Sequence, residues 1–115
     1  MKRVKKDWGY EIWFANNELY CGKKICCMDE IWSSGGKYHY HPIKDETFYV
    51  LEGKLVLDIL GRDGVSRTKI LQPSSKSVRI EPGIRHRFRS VGRCCTFIEV
   101  STTHREEDSI RVEML

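Results

Sequence analysis

The chain has 115 residues, with 20 Lys and Arg against 16 Asp and Glu and a formal net charge of +4. That length fits one domain with one core, and 40% hydrophobic with 31% charged residues is an ordinary globular mix that excludes a disordered chain. No apolar run approaches the roughly 20 residues of a membrane span, the basic N-terminus has no apolar stretch long enough for a secretory signal, and the charge is too mild to imply nucleic acid without a basic helix or zinc-finger spacing.

A cytoplasmic location follows, with no membrane and no nucleic-acid partner. The mild positive bias suits a small anionic substrate. In chain order, β-branched and aromatic residues predict strands at Gly9–Phe14, Lys23–Ile31, Tyr38–His41, Thr47–Leu51, Lys54–Leu60, Ser66–Leu71, Ser77–Ile80, His86–Ser90 and Cys94–Ser101, with a last one over Ser109–Glu113. Asn16-Asn17, Gly61-Arg62-Asp63-Gly64, Pro73-Ser74-Ser75 and Pro82-Gly83 are the turns between them. Thr103–Asp108 fits one short helical turn; no stretch keeps a helical period. Many short strands at close spacing predict an all-β sandwich or barrel, one domain over residues 1–115. The five cysteines include two adjacent pairs, Cys26-Cys27 and Cys94-Cys95. Strand neighbours point to opposite faces, which is poor disulfide geometry, so they read as reduced packing thiols.

Three of the four histidines carry the chemistry. His39 and His41 are two apart on a predicted strand and face the same way. Glu46 opens the next strand on the same face as Phe48 and Val50. A carboxylate on an apolar face is costly unless it is paired or bound to a cation. His86 follows Pro82-Gly83, and alternation sets it inward with Ile84 and Phe88. Three imidazoles and one carboxylate suit one divalent transition metal: Zn, Mn, Fe, Co or Ni.

The run Gly36-Lys37-Tyr38-His39-Tyr40-His41-Pro42-Ile43-Lys44-Asp45-Glu46, then Gly53, resembles the first motif of the cupin superfamily. Pro82-Gly83-Ile84-Arg85-His86 resembles the second. The resemblance implies a single-domain cupin β-barrel (a double-stranded β-helix, or jelly roll) with His39, His41, Glu46 and His86 as metal ligands. Two positions depart from the pattern: Ser33 stands where a glycine is usual, and Glu81 where a proline is usual. Trp8-Gly9, Ile98-Glu99-Val100 and Glu106-Glu107-Asp108-Ser109-Ile110-Arg111 are further similar to the cupin domain of type II mannose-6-phosphate isomerases. Lys37 and Pro42 replace that group's Gln and Arg.

The likeness implies a metal-dependent aldose–ketose isomerase acting on a sugar or sugar phosphate, mannose-6-phosphate-like. The alternatives are a non-catalytic metal- or sugar-binding cupin, or a metal-dependent dioxygenase. The general base would be Glu99 if its strand turns it inward. Lys37 and Arg87, each close to a ligand in sequence, would hold an anionic group of the substrate at the barrel mouth. Lys44, Arg79, Arg85 and Arg89 read as solvated, Tyr38, Tyr40 and Tyr49 as packing or interface, and His104 as a surface residue. Trp8, Trp13 and Trp32 read as core or dimer-interface residues, and a homodimer is the family-based expectation.

Overall fold

The computed structural model describes residues 1–112. Among these the strands are β1 (Lys2–Lys6), β2 (Gly9–Asn16), β3 (Cys21–Met28), β4 (His39–Tyr40), β5 (Glu46–Leu60), β6 (Ser66–Leu71), β7 (Val78–Ile80), β8 (Arg85–Ser101) and β9 (Ile110–Arg111). Tight 3-10 turns occupy Ser33–Gly36 and Glu106–Asp108. No helix is long and apolar enough to cross a membrane.

The architecture is the expected curled all-β barrel. Its frame is the antiparallel ribbon of β5 and β8, which pair from Glu46↔Ser101 to Leu60↔Arg85. The C-terminal half of β8 also pairs with β3, and through it with β2 and β1. The N-terminal half of β8 pairs with β4, and through it with β9, while the C-terminal half of β5 pairs with β6. Each long strand therefore pairs with different neighbours along its two halves, which curls the single nine-stranded sheet.

The change of partner falls where the β5–β8 register shifts, around Glu52 and Lys54. Gly53 sits there with φ 76°, and a Cβ at Gly53 would lie 2.5 Å from the Cys94 carbonyl oxygen. Only glycine accepts both that left-handed backbone and that approach.

The ribbon explains why the predicted pairs Thr47–Leu51 with Lys54–Leu60, and His86–Ser90 with Cys94–Ser101, are each one strand: the breaks are bulges, not turns. The predicted Lys23–Ile31 strand stops at Met28, because Asp29 and Glu30 turn the chain with φ 57° and 59°. Strand β1 had no sequence signal. It is a lysine-rich edge strand with only Val4 half-buried, held by its pairing with β2. The expected last strand is present as β9, and its predicted end at Glu113 lies outside the described residues.

Period-two alternation fills the interior. Glu46, Phe48 and Val50 on β5, and His86, Phe88, Phe97 and Glu99 on β8, point in, while Tyr49 and Val100 point out. Phe48, Phe88 and Phe97 pack edge to face or tilted, with ring centroids 4.9 to 5.9 Å apart. Burying each phenylalanine stabilises by about 1.5–3 kcal/mol. Cys21, Cys26, Cys27 and Cys95 are buried free thiols and Cys94 is an exposed one, as the adjacent spacing indicates.

Candidate metal centre and its cavity

Phe88 of the aromatic cluster lines a cavity of about 220 Å³, together with Trp8 and Trp13. His86 lies with its ring centroid 6.2 Å from Phe48, and His39 lies 6.5 Å from Phe88. Backbone pairing sets the first contact between the motifs, since His39 is registered against His86. A second tie is the Gly83 N–H, which donates to the His41 carbonyl at 2.8 Å. Gly83 has φ 83°, so the Pro82-Gly83 turn can bring that N–H round to β4's exit. Ser33, in place of the usual glycine, is buried and its Oγ accepts the Phe88 N–H at 3.0 Å. The departure thus supplies a hydrogen bond to the strand that carries His86.

Ligand atoms of His39, His41 and His86 lie within 4.8 Å of one another. His41 Nδ1 donates to the Asp108 carbonyl at 3.0 Å, and His86 Nδ1 to the Ile84 carbonyl at 2.9 Å. Each bond leaves the Nε2 lone pair free in the neutral ring. His86 Nε2 is buried without a hydrogen-bond partner, and so is Glu46 Oε2. His41 Nε2 stands 3.1 Å from Glu46 Oε2, and His86 Nε2 stands 3.8 Å from Glu46 Oε1. Lone pairs facing a buried carboxylate at these distances repel unless a proton or a metal cation lies between them. Burial, reinforced by the neighbouring imidazoles His86 and His41, holds His39 well below the usual imidazole range. Burial also lowers His86, against the opposing pull of Glu46 and the Ile84 carbonyl. Neutral rings with orphaned lone pairs beside a carboxylate are a donor set that fits a divalent metal.

The far side of the cavity is polar. Strand register runs Trp13↔Lys23 and Lys23↔Glu99, so these three side chains form one row across β2, β3 and β8. Lys44 joins them from the loop before β5, placed by Asp108, whose carboxylate accepts the Ile43 and Lys44 N–H groups at 2.8 Å each. Lys44 Nζ lies 2.9 Å from Glu99 Oε2 and 3.1 Å from His104 Nδ1. Lys23 Nζ lies 3.1 Å from the same His104 Nδ1, 3.7 Å from Glu11 Oε1 and 4.3 Å above the Trp13 ring. Facing two ammonium groups, His104 Nδ1 is an acceptor, and its Nε2 donates to Glu106 Oε1 at 3.2 Å. Burial would raise the Glu99 carboxyl, but Lys44 and Lys23 outweigh it and hold Glu99 below the usual carboxylate range. Burial would lower Lys44, and Glu99 and Glu46 reverse it. Burial, Lys23 and Lys44 together lower His104.

Glu99 thus faces inward, as its candidate role requires. Lys37 and Arg87 do not line the cavity among the described residues. Alternation turns Arg87 away from His86: its guanidinium bonds Asp58 at 2.9 Å and the Gly36 carbonyl at 2.7 Å, and stacks on Trp32 at 4.2 Å. Lys37 closes the Ser33–Gly36 turn through its backbone N–H to the Ser34 carbonyl. The buried cationic groups of the cavity wall are instead Lys23 and Lys44, each 3% exposed, while the exposed Lys2, Lys6 and Arg111 also line it. Lys44 is therefore not a solvated residue, and His104 is not a surface residue but part of the cavity wall, stacked 4.6 Å from Trp13. A signal for Lys23 existed: it shares the inward parity of Cys21, Ile25 and Cys27. No periodicity signals His104, which reaches the cavity from a turn, and Asp108 is marked only as part of the Glu106–Arg111 resemblance.

The model of the family described as Cupin domain matches residues 32–101. The chain belongs to the cupin family. Among curated proteins, this cupin is similar to the uncharacterized protein YdbB of Bacillus subtilis (strain 168), 28% identical over 88 residues that cover 76% of this chain and 71% of that one. It is 39% identical over 54 residues to polyketide synthase CurC of Streptomyces cyaneus, covering 47% of this chain and 31% of that protein. Among solved structures, oxalate decarboxylase from Bacillus subtilis superposes with a TM-score of 0.83 and 13% identity, over 96% of this cupin and 30% of that chain. The capsular polysaccharide assembling protein CapF from Staphylococcus aureus gives 0.83 and 18%, over 98% and 34%. This cupin spans about a third of those two structures, and at such identities the likeness is one of fold.

Proposed function

We propose that this cupin is a metal-dependent aldose–ketose isomerase of a sugar or sugar phosphate, with His39, His41, Glu46 and His86 as metal ligands and Glu99 as proton acceptor. The observation that supports it is a buried carboxylate, Glu99, kept anionic by Lys44 in the same cavity as the three-histidine cluster. A bound divalent metal, one of Zn, Mn, Fe, Co or Ni, would polarise a substrate carbonyl and lower the pKa of its neighbouring hydroxyl. Glu99 takes the proton from the carbon beside the carbonyl and returns it to the adjacent carbon. Lys44 stabilises Glu99 as the anion between these transfers. Phe88, Trp8 and Ile25 make that side of the cavity apolar, which strengthens the charge contacts beside it. A homodimer belongs to the same reading, supported by the exposed apolar residues Tyr49, Leu51 and Val100 on the outer face of the β5–β8 sheet.

The test is NMR of mannose 6-phosphate mixed with protein loaded in turn with zinc, manganese, cobalt and nickel, with His86→Ala as control. Metal-dependent appearance of fructose 6-phosphate, lost in the variant, is the expected result. Absence of turnover with every metal despite confirmed loading, for this, the neutral aldoses and the uronates, refutes the isomerase. Oxygen uptake with ferrous iron would then identify a dioxygenase, and sugar binding without turnover a binding module.

A further inference from the structure

The lysine end of the cavity is built for something the protein itself does not supply. Lys23 is buried, and its ammonium offers three N–H donors. One is matched by His104 Nδ1, a single lone pair that Lys44 also approaches at 3.1 Å. Glu11 Oε1, at 3.7 Å, is beyond hydrogen-bond reach and already accepts the Trp13 indole N–H at 2.9 Å. The Trp13 ring face takes Lys23's charge but no full hydrogen bond. Two buried ammonium groups thus converge on one neutral acceptor and keep donors directed at the cavity. An oxyanion placed there would satisfy both.

Charge selects among oxyanions. Lys23 and Lys44 are matched by Glu11 and Glu99, and Lys2 and Lys6 share the same end of the cavity with Glu106, so the pole keeps about one positive charge. A phosphate monoester carries about −1.5 to −2 at neutral pH and would crowd the carboxylates of Glu11 and Glu99. A carboxylate brings a single charge with two acceptor oxygens, about four lone-pair sites. The cavity of about 220 Å³ holds roughly seven waters' worth of ligand, the scale of one small polyhydroxylated molecule.

We propose that Lys23, Lys44 and His104 form a carboxylate subsite, and that the substrate is a sugar acid whose carboxylate sits there while its carbonyl end meets the three-histidine cluster. This builds on the reading of the cavity as a substrate site, and it is tested by binding without turnover. Zinc-loaded full-length protein is titrated calorimetrically with glucuronate, mannuronate, glucose, mannose and glucose 6-phosphate. At least one uronate binds at least tenfold tighter than its neutral sugar and than the phosphate. Lys23→Met removes at least tenfold of that preference without changing the affinity for the neutral sugar. In His86→Ala the uronate preference persists although overall affinity falls.

Four results overturn the proposal: equal affinity of uronate and neutral sugar, or no binding of either uronate; tighter binding of the phosphate; a preference that survives Lys23→Met with circular dichroism unchanged; or a preference lost in His86→Ala but kept in Lys23→Met, which would put the carboxylate on the metal. The wild-type comparison stands by itself if Lys23→Met fails to fold. Isomerase failure with retained uronate selectivity leaves the subsite intact.

Discussion

Replacing Lys44 by Met deletes the charge opposite Glu99 while keeping an unbranched chain of similar length. Lys44 and Glu99 are 3% and 5% exposed, so water reaches the lost partner only through the cavity they line. Removing one member of a buried pair costs about 3–5 kcal/mol, because the other charge is left without compensation. At roughly 4 °C per kcal/mol for a domain of this size, the melting temperature falls by about 12–20 °C. The loss is pH-dependent. In the wild type Glu99 sits below its ordinary value of 4.5, so its contribution is present above that pH and is lost as pH falls through the folded value. Without Lys44 the burial effect gains weight and the folded value rises, so the variant loses stability as pH climbs through it. The gap between wild type and variant therefore widens from pH 4 to pH 7. Urea denaturation at both pH values, with a chelator present, measures it; His104 and His39, which Lys44 also lowers, move the difference the same way, because losing Lys44 relieves them at low pH. Lys44→Met/Glu99→Leu, which replaces the pair by apolar groups, recovers most of the loss. A deficit under about 1 kcal/mol, or one independent of pH, would refute the account of Glu99 as a buried carboxylate dependent on Lys44.

Gly53→Ala meets both a left-handed φ and the Cys94 carbonyl, and destabilises by more than Gly64→Ala, where φ is 79° but a Cβ meets nothing within 4 Å; the latter costs about 1–2 kcal/mol. Denaturant midpoints of the two variants, ranked the other way, would contradict the bulge role of Gly53. Asp108→Ala frees the Ile43 and Lys44 N–H groups and costs about 1–3 kcal/mol; zinc affinity falls with it, as read by competition with a chromophoric chelator, and unchanged stability would remove Asp108 as the clamp of that loop. Adding zinc at about 100 times its dissociation constant stabilises the wild type by about 2.7 kcal/mol. Elemental analysis of His86→Ala shows reduced metal, and full occupancy in that variant would remove His86 from the ligand set.

The inward-facing half of this design was legible in the chain because period-two alternation is local. Glu46 beside Phe48, and His86 beside Phe88, could be assigned to a face from neighbours two residues away. The polar half was not, since it depends on register between strands far apart in sequence. Glu99 could be named as a candidate base and Lys23 has inward parity, but that the two face each other emerges only when β3 is set against β8. Proximity in sequence misled for Arg87: the residue next to His86 on a strand is the one that must point the other way. His104 and Asp108 lie on turns, where no period exists to reveal direction. β1 escaped because its lysine-rich side chains read as a solvated tail, although Lys2 and Arg3 lie over the Trp13 and Tyr10 rings of β2.

The acceptors that orient His41 and His86 are the main-chain carbonyls of Asp108 and Ile84. No substitution can delete a carbonyl, so the ring orientations are inherited with the path of the backbone. Descendants of such a chain are free to exchange the side chains lining the opposite wall, and so to change diet, while the imidazoles keep their aim. The centre is held by architecture, and the wall is where selection can experiment.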